Sequence, residues 1–102
     1  MIATISNNIT TSFNQISSRI IREQALIIGP LAWEEARKVE GLSVLDVKRG
    51  DVQISGDGKL IIDSLVSRYV RLFGKASQIA CREVVQDLLA ELPKEQIPAS
   101  LA

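Results

Sequence analysis

Apolar residues in the first third of the chain recur every three or four positions, which is the spacing of one face of an α-helix. Phe13, Ile16 and Ile20 follow this spacing, and it predicts a first helix over residues 11–28. A Gly-Pro pair then interrupts the pattern. Because glycine lets the backbone turn and proline suits the first turn of a helix, a second helix is predicted over residues 30–39.

The last third of the chain repeats this arrangement. The same periodicity predicts a third helix over residues 64–73 and a fourth over residues 75–92, with Gly74 between them. A shift of 45 positions superposes Gly29 on Gly74, and the segments ALIIGPLAWEEARKV and VRLFGKASQIACREV share Gly, Arg and Val at matching positions. Two helix–Gly–helix units that pack on each other are therefore predicted.

Residues 42–62, between the two units, do not follow a helical spacing. Short groups of Val, Ile and Leu are divided by Gly and Asp, and the segment SGDGK is a turn signal. Alternation around Val52 and Ile54 predicts a small β-hairpin, and a long ordered loop is the alternative. The predicted fold class is mainly α, with about four helices and a hairpin or ordered loop between the units, and α+β is the alternative class.

These elements predict a single globular domain over 11–92, with a flexible N-terminal stretch, 1–10, and a flexible C-terminal tail, 93–102. At 102 residues the chain is long enough for one modest core. Twelve basic and twelve acidic residues give a formal net charge of zero. Proteins that bind nucleic acid or anionic membranes through their general surface usually carry a basic excess, and this chain has none.

The single cysteine, Cys81, excludes an intramolecular disulfide and a secreted disulfide scaffold. The first residues lack the basic start and apolar run of a signal peptide, and no stretch has about 18 consecutive apolar residues. A cytoplasmic protein is therefore predicted.

The chain contains no histidine. The usual general base near neutral pH, the commonest metal ligand and every Ser-His or Cys-His nucleophile pair are thereby excluded. The segment SGDGK does not fit a phosphate-binding loop, because Leu60 follows Lys59 where Ser or Thr is required. A calcium loop begun at Asp51 would have Ile62 at its twelfth position, where a carboxylate is required. Cys81 lies on the apolar face of the fourth helix and is expected in the core. No catalytic residue, cofactor or metal ion is predicted, and no enzymatic activity.

The segment IIGPLAWEEARKV, residues 27–39, resembles the GP-I/L-A helical segments in accessory regions of bacterial signalling proteins, such as those appended to kinases and response regulators. The resemblance covers a short part of the chain, and Trp33, Glu34 and Glu35 depart from the apolar and basic residues expected next. It implies an accessory interaction domain that performs no catalysis.

Seven side chains are candidates for contact with a partner. Trp33 lies at the edge of the inward face of the second helix, and an exposed tryptophan is a common interface anchor. The others form a basic stripe and an acidic row on the third and fourth helices: Arg68, Arg71, Lys75, Glu83, Asp87 and Glu91. The basic stripe also supports nucleic-acid binding, which the acidic row and the neutral total charge disfavour.

The leading interpretation is a small, non-enzymatic regulatory or protein–protein interaction domain associated with bacterial signalling. Short helices with many aliphatic residues bury little on their own, so a homodimer that completes the core is expected. Nucleic-acid binding through the basic stripe is the alternative function.

Overall fold

The computed structural model describes the backbone of residues 2–102 and the side chains of residues 9–102. It is mainly helical with one small antiparallel sheet, which confirms the predicted fold class. The elements in chain order are α1 (Ile2–Ile28), α2 (Leu31–Ala36), β1 (Leu42–Asp46), β2 (Asp51–Ile54), α3 (Gly58–Phe73), α4 (Lys75–Val84), α5 (Gln86–Leu89) and two 3-10 turns (Lys94–Gln96 and Ala99–Leu101).

The first helix ends where the sequence predicts and begins earlier, at Ile2. The side chains of residues 1–8 lie outside the described residues, so the flexibility expected for residues 1–10 stays a prediction. From Phe13 onward the face that carries Ile16 and Ile20 is buried, as the helical spacing requires.

The hairpin predicted within residues 42–62 is confirmed, but its turn is not the predicted one. Strands β1 and β2 pair antiparallel with Val44 opposite Val52, and the turn lies over residues 47–50. The segment SGDGK instead begins α3. Oδ1 of Asp57 accepts hydrogen bonds from the backbone N–H groups of Lys59 and Leu60, which makes Asp57 the N-cap of that helix.

The fourth predicted helix is divided into α4 and α5. Val85 leaves the helical conformation, with φ −117° and ψ 11°, and its side chain is buried. The guanidinium of Arg19, on α1, donates to the carbonyl oxygen of Val84 at 3.4 Å and to Asp87 at 2.7 Å. A cation at the end of α4 thus donates a hydrogen bond to a carbonyl of its last turn, which is favourable at a helix C-terminus.

The tail over residues 93–102, which the sequence predicts to be flexible, packs against α3 and α4. Leu101 is buried, and Ser100 donates from its backbone N and its Oγ to Oδ1 of Asp63, at 3.0 and 2.6 Å. The carbonyl oxygen of Ser100 accepts from Gln78 at 2.9 Å. The prediction of a flexible tail is wrong because a polar, proline-containing composition gave no sign of these tertiary hydrogen bonds.

The 45-position repeat is also present in three dimensions. Several core positions related by the shift have the same burial: Ile20 and Leu65 are fully buried, as are Ala36 and Cys81. The two corner glycines, Gly29 and Gly74, both have positive φ, at 73° and 84°. Residues 13–57 and 58–102, here called unit one and unit two, therefore repeat one helix–Gly–helix arrangement.

Each unit ends in a segment that returns to its own first helix at equivalent positions. In unit one the hairpin bonds to Asn14, whose Oδ1 accepts from the N–H of Ile54, and to Ser18, whose hydroxyl donates to the carbonyl of Gly50. In unit two the tail bonds to Lys59 and Asp63, which lie 45 positions after Asn14 and Ser18. Two different structures, a hairpin and a tail, thus cover the same side of each unit.

The two units pack through contacts between the second helix of each unit and the first helix of the other. In the contact between α1 and α4, Nε2 of Gln24 lies 3.5 Å from Sγ of Cys81. In the contact between α3 and α2, the hydroxyl of Tyr69 donates to the carbonyl of Ala32 at 2.7 Å. Gln24 and Tyr69 are 45 positions apart, so the second helix of each unit packs on the first helix of the other.

Gly58 sits against the ring of Phe13, and this contact generates a stability prediction. A Cβ added at Gly58 would lie 2.3 Å from Cδ2 of Phe13. Glycine to alanine in a helix usually stabilises, but here we expect Gly58→Ala to lower the free energy of unfolding by about 2 kcal/mol because the ring must move. Urea denaturation measures the change. In a Phe13→Leu background, which removes the ring, the same substitution should cost much less.

Candidate functional site

Trp33 is not available as an exposed anchor. Its side chain is 7% exposed and belongs to the core, together with Ala32 and Ala36 on the same short helix. A partner would contact Trp33 only after the helices had separated. Trp33 therefore lacks the exposed surface that the predicted partner contact requires.

Glu35 is the centre of an ion cluster that joins α2 to α3. Its Oε1 accepts from Arg68 at 3.1 Å and its Oε2 from Lys38 at 3.0 Å. The hydrogen bond from Lys38, followed by that from Arg68, holds the pKa of Glu35 below its usual value, and desolvation opposes the shift. The sequence showed Glu35 only as one of an adjacent glutamate pair, whereas its partners lie in the turn after α2 and on α3.

The predicted basic stripe does not form one continuous charged face. Arg68 is half-buried and held by Glu35, whereas Arg71 and Lys75 are exposed and form no ion pair with any described side chain. Gly74, at φ 84° and ψ −175°, turns the backbone between Arg71 and Lys75, so the latter belongs to another helix. A row of phosphate contacts along one helix is thereby lost.

The acidic row is divided in the same way. Glu83 lies on α4, Asp87 on α5 and Glu91 beyond α5, and all three are exposed. Asp87 forms an ion pair with Arg19 at 2.7 Å, and this hydrogen bond lowers its pKa. One member of the row is thus neutralised by α1, which the sequence pattern within the helix could not show.

The structure brings the two glycine corners together at one end of the bundle. The cross-helix contacts show that α4 runs antiparallel to α1 and α2 antiparallel to α3: Arg19 meets Asp87 while Gln24 meets Cys81. The last turns of α1 and α3 and the first turns of α2 and α4 therefore meet at this end.

A cluster of apolar side chains is exposed at this end. One turn from the ion pair of Glu35 and Arg68, in the direction of the corners, Leu31 and Leu72 take the corresponding positions on α2 and α3. Ile27 and Phe73 lie on the last turns of α1 and α3, at the same end of the bundle. We call these four residues the corner surface; their exposed fractions are 62% for Ile27, 39% for Leu31, 50% for Leu72 and 39% for Phe73.

The corner surface was missed at the sequence level because its members look like ordinary core positions. Ile27 belongs to the apolar spacing of the first helix, and Leu72 and Phe73 to that of the third. The 45-position repeat was the available signal, since it pairs Ile27 with Leu72. Equivalent positions that are apolar and exposed in both units are more informative than either alone.

The titratable groups in the core do not form a nucleophilic site. Burial raises the pKa of the Cys81 thiol to about 12, and burial also raises the pKa of Tyr69. Oε1 of Gln24 has no hydrogen-bond partner among the described atoms, although its Nε2 faces Cys81. Cys81 therefore behaves as an apolar core residue.

Two properties of the described part of the chain bear on metal and membrane binding. No three side chains of the metal-binding types are grouped as ligands there. Each helix there falls short of the length and apolarity needed for a membrane span. No family model matches the chain, and comparison with curated proteins and with solved structures finds no match.

The ion cluster at Glu35 makes stability depend on pH. Because the folded-state pKa of Glu35 is lowered, its stabilising effect is present at neutral pH and is lost as the pH falls below about 4.3, the ordinary glutamate value, through the folded pKa. We expect Glu35→Gln to destabilise the protein at pH 7, and the difference from wild type to shrink in acid. Urea midpoints between pH 3 and 7 measure it.

The control for this prediction is Asp87→Asn, which breaks the exposed ion pair with Arg19. Exposed pairs contribute little, so its effect at pH 7 should be smaller than that of Glu35→Gln. An equal effect of both variants, or a Glu35→Gln difference that is constant with pH, would contradict the assignment.

The buried thiol generates a reactivity prediction. We expect Cys81 to react very slowly with a disulfide reagent such as DTNB at pH 8, because the reactive thiolate is rare at a pKa of about 12 and the sulfur is covered. In 6–8 M urea the same thiol should react at the rate of a free cysteine. Fast reaction of the folded protein would show that Cys81 is accessible.

Proposed function

We propose that this protein is a small interaction domain without enzymatic activity that binds a protein partner through the corner surface. The observation that carries the proposal is the exposure of four large apolar side chains at one end of the bundle: Ile27, Leu31, Leu72 and Phe73. Exposed apolar side chains gathered in one region of a surface are typical of protein–protein contact sites. The absence of histidine from the sequence supports a role outside catalysis.

A second copy of the chain is the partner we propose. Leu31 and Leu72 occupy neighbouring positions on α2 and α3. In a two-fold symmetric dimer, Leu31 of each copy would therefore contact Leu72 of the other copy. Glu34 is exposed on the α2 side and Lys75 on the α4 side, and neither forms an ion pair with a described side chain. The same two-fold arrangement would bring Glu34 towards Lys75 of the partner subunit, which sets the orientation of the pair.

The regulatory part of the proposal rests on the resemblance of residues 27–39 to segments of bacterial signalling proteins. In this chain the segment supplies Ile27 and Leu31 to the corner surface, so the resembling residues and the proposed contact coincide. A lone reduced thiol is usual in a reducing compartment, which favours the cytoplasm. Nucleic-acid binding has less support, because Arg68 is held by Glu35.

Light scattering coupled to size-exclusion chromatography tests the dimer. We expect wild type to be a dimer at micromolar concentration, with little change between 50 and 500 mM salt, because the contact is mainly apolar. Leu72→Asp should give a monomer, since it places a charge in the centre of the contact.

The matched control is Leu45→Asp on the hairpin, where Leu45 is 63% exposed and lies outside the corner surface. This variant should remain a dimer. A wild-type monomer at every concentration, or a Leu72→Asp dimer, would contradict the homodimer, and dissociation by both variants would show that the contact is elsewhere.

A further inference from the structure

The hairpin has an inner edge, which is bonded to α1, and an outer edge. At the inner edge the N–H of Ile54, on β2, donates to Oδ1 of Asn14 at 2.8 Å. Because the sheet has two strands, β1 forms the outer edge. Val44 on β1 is accordingly half-buried, whereas Val52, opposite it on β2, is buried.

The hydrogen-bond register determines which backbone groups of β1 point outward. The N–H of Ser55 donates to the carbonyl of Gly41 at 2.8 Å, and bonded residues alternate with non-bonded residues in an antiparallel pair. Gly41 and Ser43 therefore bond towards β2. Leu42 and Val44 direct their N–H and C=O groups away from β2.

The neighbouring contacts agree with this register. Ile54, the residue opposite Leu42, bonds away from β1 to Asn14. The outward N–H of Leu42 donates to the carbonyl of Val39 at 3.2 Å. The N–H and C=O of Val44 have no hydrogen-bond partner among the described residues. Val44 thus offers one donor and one acceptor at the outer edge.

The sequence of β1 does little to protect this edge. Unpaired edge strands commonly carry lysine or proline, and the strand LSVLD contains neither. Ser43 is exposed, and Leu45 is 63% exposed. The irregularity between Val44 and Asp46 shortens the regular part of the strand, so pairing at this edge would be brief and centred on Val44.

Opposite charges flank β1 and indicate what pairs with it. Glu40 precedes the strand and Lys48 follows it; both are exposed, and neither forms an ion pair with a described side chain. The strand between them is about 17 Å long, so the two charges do not meet within one chain. An antiparallel second copy of β1 would bring Glu40 near Lys48 of the partner subunit, and the reverse.

We propose that the outer edge of β1 binds β1 of a second copy of the chain, which joins the two hairpins into one four-stranded antiparallel sheet. The two Val44 residues exchange N–H···O=C bonds, and Leu45 lies beside Ser43 of the partner subunit. A register centred on Ser43 is disfavoured, because it would set Glu40 against Asp46 of the partner subunit.

This contact is additional to the contact at the corner surface. The hairpin bonds to α1 at Asn14 and Ser18, and Ser18 precedes Ile27 by about 13 Å along the helix. Two different two-fold contacts on one chain join dimers into larger assemblies. A contact through one short strand buries little surface and is weak, so we expect it at concentrations well above those that suffice for the corner surface.

Sedimentation equilibrium of the full-length Leu72→Asp variant, in which the corner contact is removed, tests the proposal. Between about 5 and 500 µM we expect a monomer at the low end and a dimer at the high end. In this background Lys48→Glu should weaken the dimer about tenfold. Adding Glu40→Lys should restore it, which an effect confined to one chain would not do.

A backbone variant tests the role of Val44 itself. Val44→Pro removes the outward N–H and leaves the β1–β2 bonds in place, so it should abolish association. Val44→Ala, which shortens the side chain and keeps the N–H, is the matched control and should still associate. Circular dichroism checks that both variants are folded, and the exposed charge variants decide the matter if the proline variant is not.

Three results would overturn the proposal: no association at about 500 µM, a charge swap that fails to restore the dimer, or a folded Val44→Pro variant that associates as Val44→Ala does. The first would leave the edge to an extended segment of another protein. If Leu72→Asp is already a dimer at about 5 µM, the corner contact is wrong, and the same charge variants then test whether β1 forms that dimer.

Discussion

The structure depends on the mutual burial of each unit's second helix against the first helix of the other. Helices of the length of α2 and α4, 6 and 10 residues, are not stable alone in water. Each packs on the long helix of its own unit and also on that of the other, through Tyr69 and Ala32 in one case and Gln24 and Cys81 in the other. The two units therefore share one continuous core.

This packing also accounts for where apolar side chains and grooves remain exposed. The corners are the points at which the first helix of each unit is followed by its second helix, and apolar side chains there, Ile27 and Leu72 among them, are exposed. Open grooves lie along α1 and α3, beside Val84 at the end of α4 and beside Val39 after α2. One packing arrangement thus produces each of these features twice.

Helical periodicity and the two glycines predicted where the helices and corners lie, apart from the division of the fourth helix, and alternation at Val52 and Ile54 predicted the hairpin, because these depend on local spacing and backbone freedom. The turn was misplaced because SGDGK carries both a turn signal and a capping aspartate, and Asp57 acts as the cap. The order of the tail depends on Asp63 and Gln78, which lie far from it in sequence. Glu35, Arg68 and Asp87 form ion pairs with residues on other elements, so the charge rows read along single helices did not indicate their roles.

The 45-position repeat was weak as a sequence argument and strong as a structural one, for a physical reason. Burial constrains only size and polarity, so Ala36 can match Cys81 and Gln24 can match Tyr69 without identity. Hydrogen bonds to the return segments constrain only that the side chain be polar, so Ser18 matches Asp63. Positions free of both constraints differ in residue type between the units, as at Leu26 and its equivalent in unit two, Arg71.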